Sequence, residues 1–365
     1  MLLLLILADD FTGALDTGVQ FAACGIATRV VVGEQVDFAA NDAAVLVVDT
    51  ETRHLPAAEA YAVIAKLTRE AMSAGVFSIY KKTDSALRGN IGAELSALLK
   101  TSGERQLPFL PAFPQIDRVT RDGVHYISGV PVTESPFGID PFEPVRHARV
   151  TELIGEQTDV PAHSFPTLKE GEAVPEQEGI LVFDAGSLDD LASTGRALFQ
   201  NGRLRLMAGC AGFAALLPDL MKMTERRTVT MPKLDPRLLV VCGSVNSITL
   251  RQLDVAEQNG FSRLRLTPRQ KLDPGYWESE NGKEALQGIN EMLAANPRCI
   301  IETNDEGGNQ PTADYAAARG PAGRHRQQHR PYAGQTVHQP RAWDPAAHRR
   351  RHAVTVHELR GHQGA

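Results

Sequence analysis

The sequence has few cysteines and no excess of positive charge. Its four cysteines, Cys24, Cys210, Cys242 and Cys299, are far apart and form neither a CxxC pair nor a metal-ligand spacing. They therefore predict reduced thiols in a cytoplasmic protein and argue against a disulfide framework. The formal net charge of −6 gives no bulk attraction to nucleic acid or to an anionic membrane surface.

Long hydrophobic runs are also missing. No apolar run reaches the roughly 20 residues of a membrane-spanning helix. The apolar start, Leu2–Leu7, has no basic region before it and leads almost directly into two acids, so it is interpreted as a buried strand and not as a signal peptide. With 365 residues, 42% of them hydrophobic, the chain is long enough for two domains with substantial cores.

Two adjacent acids stand where this first strand ends. Asp9 and Asp10 are followed by Thr12 and by apolar residues at helical spacing, and either Asp10 or Thr12 can cap that helix. Neighbouring acids at the end of an apolar strand are costly to bury unless they bind something. The simpler alternative is that Asp10 only caps the helix while Asp9 is solvated.

Strands and helices alternate through the first half of the chain. The apolar runs predict buried strands at Leu2–Leu7, Ala27–Val32, Ala43–Val48 and Val76–Tyr80. Helical patterns at 56–74 and 91–99 separate later strands, which predicts a doubly wound parallel sheet. Polar clusters follow three of these strands, at 9–10, 49–53 and 81–90. In such a sheet they would lie at one edge, where ligands bind.

A second α/β unit is predicted after a polar connection with two prolines. The strand Leu238–Cys242 is followed by a turn, 243–247, and a helix, and a Gly-Ser turn in this position suits a phosphate. The turn is not a Walker motif, because no GxxxxGK[ST] occurs. The predicted fold class is α/β, with two domains that are each a mostly parallel sheet flanked by helices. The predicted parts are a first domain at 1–220, a linker at 221–237, a partial second domain at 238–305 and a tail at 306–365.

The tail differs from the rest of the chain in composition. Seven of the 11 histidines fall there, Arg, Gln, Gly, Pro and Ala are abundant, and neither Lys nor Ile occurs after Ile301. Loss of apolar periodicity predicts a disordered or poorly packed segment, and a basic nucleic-acid-binding arm is a second interpretation. The favoured hypothesis is out-of-frame translation of a gene that once encoded more of the second domain. No metal site is predicted.

Several motifs together resemble a known family. The stretches ADDFTGALDTG, TETR ending at Arg53, KKTDSALRGN, LPAFPQIDRVTRDGVHYISGVPV and CGSVNSITLRQ are similar to those of the four-carbon acid sugar kinases. The resemblance covers about the first 300 residues, in the family's order. It implies an enzyme that uses ATP and Mg²⁺ to phosphorylate threonate, erythronate or 3-oxo-tetronate. It also implies a substrate domain followed by a nucleotide-binding domain, with catalysis between them.

The resemblance assigns roles to individual positions. It implies that substrate contacts come from the first acidic pair, from the arginine after the third strand and from the KTDSALR segment: Asp9, Asp10, Arg53, Lys82, Thr83, Asp84, Ser85 and Arg88. It implies ATP contacts at the Gly-Ser turn: Ser244, Asn246 and Ser247. The family's glycine-rich GGDT-type segment, which holds ATP phosphates, is absent from this sequence. The alternative function is therefore a truncated, catalytically inactive remnant that still binds a sugar acid.

The chemistry of these residues agrees with a sugar-acid kinase. Arg53, Lys82 and Arg88 can pair with the carboxylate of the substrate, and Asp10 is hypothesised to accept the proton of the attacking hydroxyl. A phosphohydrolase with an Asp-x-Asp-x-Thr start is disfavoured, because with Thr12 as the anchor its nucleophile position holds Ala8. The expected partners are a sugar acid and ATP, without nucleic acid or membrane, and a homodimer is compatible with the sequence.

Overall fold

Eight strands form one parallel sheet in the first part of the chain. The structure is a computed structural model that describes residues 2–38, 40–140, 143–223, 233–245, 247–306 and 310–318. Its residues fall into two compact units that divide between positions 230 and 231. Most of the predicted linker and the predicted tail from position 319 onward lie outside the described residues, as does the hypothesis of out-of-frame translation.

The first unit has the order of elements that the sequence predicts, with additions. Its strands are β1 (Leu4–Ala8), β2 (Thr28–Val32), β3 (Val45–Asp49), β4 (Ser78–Lys82), β5 (Gln106–Leu110), β6 (Arg118–Arg121), β7 (Val124–Ile127), β8 (Val130–Pro131), β9 (Ala162–Phe165), β10 (Gly179–Phe183) and β11 (Leu206–Gly209). Its α-helices are α1 (Phe11–Ala22), α2 (Ala57–Ser73), α3 (Ile91–Ser102), α4 (Val150–Gly155), α5 (Leu188–Gln200), α6 (Ala211–Ala214) and α7 (Leu217–Leu220).

The main sheet has the order β2-β3-β1-β4-β11-β5-β10-β9, and all its pairings are parallel. Every residue of β1, β3 and β4 is buried, which explains why their sequences show no alternation of apolar and polar residues. Strands β6, β7 and β8 form a separate antiparallel sheet.

Helices cover both faces of the main sheet. On one face α1 packs through Ala14 and Phe21 against Leu4 and Ile6 of β1, and on the other α2 and α3 pack against the alternate β1 residues. The chain therefore leaves β1 and its neighbour β4 toward opposite faces. In open α/β sheets this arrangement leaves a crevice at the carboxyl ends of the strands, where ligands bind.

The second unit is a smaller parallel sheet of order β12-β14-β13. Its elements are β12 (Leu238–Cys242), α8 (Ser247–Gln258), β13 (Ser262–Arg265), α9 (Pro268–Leu272), α10 (Glu280–Ala295), β14 (Arg298–Glu302) and α11 (Gln310–Ala318). The two parallel sheets confirm the predicted fold class.

Helix α11 lies in the segment where the composition changes. Residues 310–318 form this helix, which contacts α9. The Tyr315 hydroxyl donates to Asp273 Oδ1 at 2.8 Å, and Thr312 N donates to Asp305 Oδ2 at 2.8 Å. The alanines of this segment favour a helix without any apolar periodicity.

Candidate functional site

Asp9 and Asp10 lie at the carboxyl end of β1, and neither is merely solvated. Asp10 caps α1 by accepting a hydrogen bond from Gly13 N at Oδ1, 2.9 Å away. Asp9 is buried, so the alternative that it is solvated is wrong. Its Oδ1 has no hydrogen-bond partner among the described residues. A buried oxygen without a partner costs free energy, which is characteristic of sites with a function beyond folding.

Arg53 holds the acidic residues together. Its Nε donates to Asp9 Oδ2 and its Nη1 to Asp10 Oδ2, each at 2.7 Å, and its Nη2 lies 3.8 Å from Asp84 Oδ1. Burial alone would lower the pKa of Arg53, but the charges of Asp9, Asp84 and Asp10 raise it above its usual range. The guanidinium is therefore a permanent cation among three carboxylates.

Asp84 is the second centre of charge pairing. It accepts hydrogen bonds from Arg88 Nε at 2.8 Å and from Arg88 N at 3.2 Å, and Arg88 Nη1 also lies 3.4 Å from Asp140 Oδ2. Burial raises the pKa of Asp84, but the Arg88 hydrogen bond and the charges of Arg53, Arg88 and Lys82 lower it well below its usual range. Asp84 is thus ionised and already occupied by two arginines.

The loop after β4 is shaped by its backbone. Leu87 and Gly89 both have positive φ, and a Cβ at Gly89 would lie 3.0 Å from Arg53 Cγ, so glycine lets the loop approach Arg53. Asn90 closes the loop, since its Nδ2 donates to Thr52 O at 2.9 Å and to Leu55 O at 2.7 Å. This amide ties the KTDSALRGN loop to the loop that carries Arg53.

Lys82 lies where three strands end together. It is level with Ala8 of β1 and Gly209 of β11. Its Nζ is 2.5 Å from the position that a Cβ at Gly13 would take, so the absence of a side chain at Gly13 makes room for the ammonium group. Lys82 is buried, but its Nζ forms no hydrogen bond or ion pair with another described residue. The neighbouring Thr83 also has a buried hydroxyl with no partner among these residues.

A buried ion pair beneath the site was missed by sequence reasoning. Lys81 Nζ lies 3.0 Å from Glu94 Oε2, and both side chains are fully buried. Thr52 donates to the other Glu94 oxygen. Burial raises the pKa of Glu94, while Lys81 and Thr52 favour its charged form. The signal in the sequence was an acid within the apolar pattern of α3.

Asp49, at the end of β3, has its pKa raised to about 6 by burial.

The antiparallel sheet contributes residues that the sequence predictions did not name. Arg118, at the start of β6, donates from Nη1 to Ser85 Oγ, and its guanidinium lies 5.0 Å from the centre of the Phe137 ring. His125 Nε2 donates to Ser85 O at 2.9 Å. Burial lowers the pKa of His125 to about 4, so this ring is neutral near pH 7. The family-like motif around 118–125 was a signal that could have found these residues.

The predicted ATP residues belong to the second unit. Ser244 lies in the turn after β12, and its carbonyl accepts a hydrogen bond from Asn304 Nδ2 at 2.9 Å. Ser247 is the first residue of α8, while Asn246 lies outside the described residues. Glu302, at the end of β14, is fully buried between Arg263 Nε at 2.6 Å and Arg265 Nε at 3.1 Å.

The described residues contain neither a candidate metal cluster nor a candidate membrane span. Within those ranges no cluster of three or more His, Cys, Asp or Glu side chains could hold a metal ion. No helix there is long and apolar enough to span a membrane.

The comparisons with known proteins agree with this geometry. The family model for the sugar-binding N-terminal domain matches residues 4–217. The D-threonate kinase of Salmonella typhimurium is 32% identical over 302 residues, which are 80% of this chain and 68% of that protein. The 3-oxo-tetronate kinase of Methylobacterium radiotolerans is 28% identical over 317 residues, which are 80% of this chain and 72% of that protein.

A solved structure from Bordetella bronchiseptica is also similar. It shares 30% identity and a TM-score of 0.54, covers 83% of this chain and 74% of its own, and is a domain-swapped dimer with bound citrate. The parallel sheet with a charged carboxyl edge thus defines an α/β protein whose first unit is a sugar-binding domain. More specifically, the chain belongs to the four-carbon acid sugar kinase family.

Proposed function

We propose that the protein is an ATP-dependent kinase that phosphorylates a hydroxyl of a four-carbon acid sugar: threonate, erythronate or 3-oxo-tetronate. The observation that carries this proposal is the joining of Asp9, Asp10 and Asp84 by Arg53 at the carboxyl edge of the sheet. A small polyhydroxy acid needs both hydroxyl acceptors and cations, and this cluster supplies both. The kinase relatives support the same substrate class.

Asp10 is the proposed proton acceptor. Its side chain is 26% exposed, against 1% for Asp9 and 9% for Asp84, so it is the carboxylate of the three with most access to a ligand. Its hydrogen bonds from Gly13 and Arg53 fix its direction. In phosphoryl transfer, positioning and charge neutralisation do most of the catalysis, so a strong base is not needed.

Substrate contacts are proposed for the remaining predicted residues. Asp9, Thr83 and Ser85 would bind hydroxyls, and Lys82 would face the carboxylate. Arg53 and Arg88 would border the substrate while holding the aspartates in place. The citrate-bound relative supports binding of a hydroxy acid.

ATP is the proposed second substrate, held by the second unit. Ser244 lies in the turn before α8 and Ser247 is the first residue of that helix, whose dipole favours a phosphate at its amino end. Asn246, which lies outside the described residues, is proposed with them from the sequence. Among the described residues, the contact within 4 Å that a Cβ at Gly243 would make beyond its chain neighbours is with Thr303 Oγ1, at 3.9 Å. Mg²⁺ would neutralise the phosphate charge, bound mainly through phosphate oxygens.

Calorimetric titration tests both halves of the proposal. The full chain is titrated with D-threonate, with D-erythronate and with Mg-ATP, followed by a coupled turnover assay. Binding of a sugar acid and ATP, with turnover, is the expected result. If the sugar acid binds and ATP does not, the protein is the inactive sugar-acid-binding remnant and not a kinase. If neither ligand binds, both proposals are contradicted.

We also propose that the enzyme is cytoplasmic. Its proposed partners are small molecules, and neither nucleic acid nor a membrane. The domain-swapped relative supports a homodimer, which light scattering of the purified chain would detect.

A further inference from the structure

The charges of the candidate site do not pair completely. The carboxylates of Asp9, Asp10 and Asp84 are all engaged by two arginines, Arg53 and Arg88. Arg88 has a further partner in Asp140. The guanidinium groups that the sequence suggested for binding a substrate carboxylate are therefore already occupied by carboxylates of the protein.

Two other cations at the site have no such partner. Lys82 is buried at the end of β4, and among the described residues no acid lies within ion-pair distance of its Nζ. Arg118 is half-buried, and its contacts within the same residues are neutral: the Ser85 hydroxyl and the face of the Phe137 ring. A cation that is partly withdrawn from water and lacks an opposite charge is suited to bind an anionic group.

The cationic groups of Lys82 and Arg118 both interact electrostatically with Cys210 and Asp84. The charges of Lys82 and Arg118 both lower the pKa of Cys210, and both groups interact electrostatically with Asp84. Ser85, which receives the Arg118 hydrogen bond, lies three residues after Lys82, in the loop that follows β4. Burial lowers the pKa of Arg118, yet a guanidinium remains charged at any physiological pH.

We infer that Lys82 and Arg118 together form the receptor for the carboxylate of the sugar acid, and that Arg118 selects acids over neutral polyols. This inference rests on the proposed function and names the subsite within it. Arg53 and Arg88 then serve to hold the three aspartates in place. The carboxylate end of the substrate lies toward the start of β6, and its hydroxyls lie toward Asp9 and Asp10.

The test compares an acid with a neutral analogue. Kd is measured by calorimetry for D-threonate and, by competition, for D-threitol, which has the same four carbons and no carboxylate. Arg118→Gln is expected to raise the Kd for D-threonate roughly tenfold or more and to leave the Kd for D-threitol unchanged. It should also reduce the salt dependence of acid binding. Arg118→Lys should recover part of the loss. Arg121→Gln, at an exposed position of the same strand, is the matched control and should change neither ligand.

The outcomes separate this inference from the kinase proposal. If Arg118→Gln weakens both ligands equally, Arg118 only supports Ser85, and the receptor is contradicted. If it binds D-threonate like the unchanged chain, the receptor is also contradicted. If acid binding depends on Arg118 but the chain shows no turnover, the receptor is supported and the kinase proposal is contradicted. Failure of the unchanged chain to bind any sugar acid would overturn both.

Discussion

Arg53 gives the candidate site its organisation at the scale of single residues. One buried guanidinium contacts three carboxylates that come from two different loops. Its planar fork fixes their directions as a lysine could not, because lysine offers a point charge on a flexible stem. Two adjacent aspartates are thus held side by side, with Asp10 the more exposed.

Asp10→Asn separates capping from chemistry. Asparagine is as good a helix cap as aspartate, so the variant should fold and keep a melting temperature close to that of the unchanged chain. Removal of the proton acceptor should lower kcat by roughly 100-fold. Asp16→Asn, an exposed change on the same helix, is the control and should keep full activity. Near-normal kcat in Asp10→Asn, measured by coupled turnover, would exclude the role as base.

Asp49 predicts a pH dependence of stability. Its pKa is raised to about 6 in the folded chain by burial, above its ordinary value of 3.8. The folded state therefore holds this proton more tightly, and the free energy of unfolding should fall as pH rises from about 4 to 6. Asp49→Asn removes this penalty and should be more stable at pH 7, by on the order of 2 kcal/mol.

Denaturant unfolding of both proteins between pH 4.5 and 7 measures this effect. The difference between the two free energies should widen with pH and level off above about 6. A constant difference over this range would show that Asp49 does not titrate there.

The strands and helices differ in how well the sequence predicts them. Strands β1, β3 and β4 were predictable because burial on both faces leaves unbroken apolar runs. Strand β9 was missed, since it is a short, half-exposed strand at the edge of the sheet. The polar clusters could be assigned to one edge from the order of elements alone. Which charges pair could not, because the partners of Arg53 and Arg88 depend on loop backbone geometry.

Helix α1 carries a glycine whose role is spatial. A Cβ at Gly13 would lie 2.5 Å from both Asp10 Oδ1 and Lys82 Nζ. Gly13→Ala should displace Lys82 and weaken the binding of D-threonate roughly fivefold or more. It should not bring the gain in stability of about 1 kcal/mol that alanine usually gives a helix over glycine. Gly288→Ala in α10, where a Cβ meets nothing within 4 Å, is the control and should raise stability without changing affinity. Calorimetry and thermal unfolding of the two variants measure this, and unchanged D-threonate affinity in Gly13→Ala would contradict it.

At the scale of the whole molecule, the two units differ in the size of their cores. In the first unit two large apolar clusters lie on the two faces of the sheet. The described part of the second unit has one cluster of three buried residues, Cys242, Leu253 and Ile300. Leu238 and Val241 of β12 remain exposed. Because stability follows buried apolar area, the units should open with different free energies.

Hydrogen exchange measured by mass spectrometry tests this difference. Amides of β12, β13 and β14 should exchange faster than those of β1, β3 and β4, because local opening needs less energy where few apolar contacts are broken. D-threonate should slow exchange in the loops 49–55 and 82–90, and Mg-ATP should slow it near 243–247, since each ligand stabilises the state it binds. Equal exchange rates in both sheets would contradict the expectation that the second unit opens more easily than the first. ATP protection confined to the first unit would contradict the assignment of the nucleotide to the second.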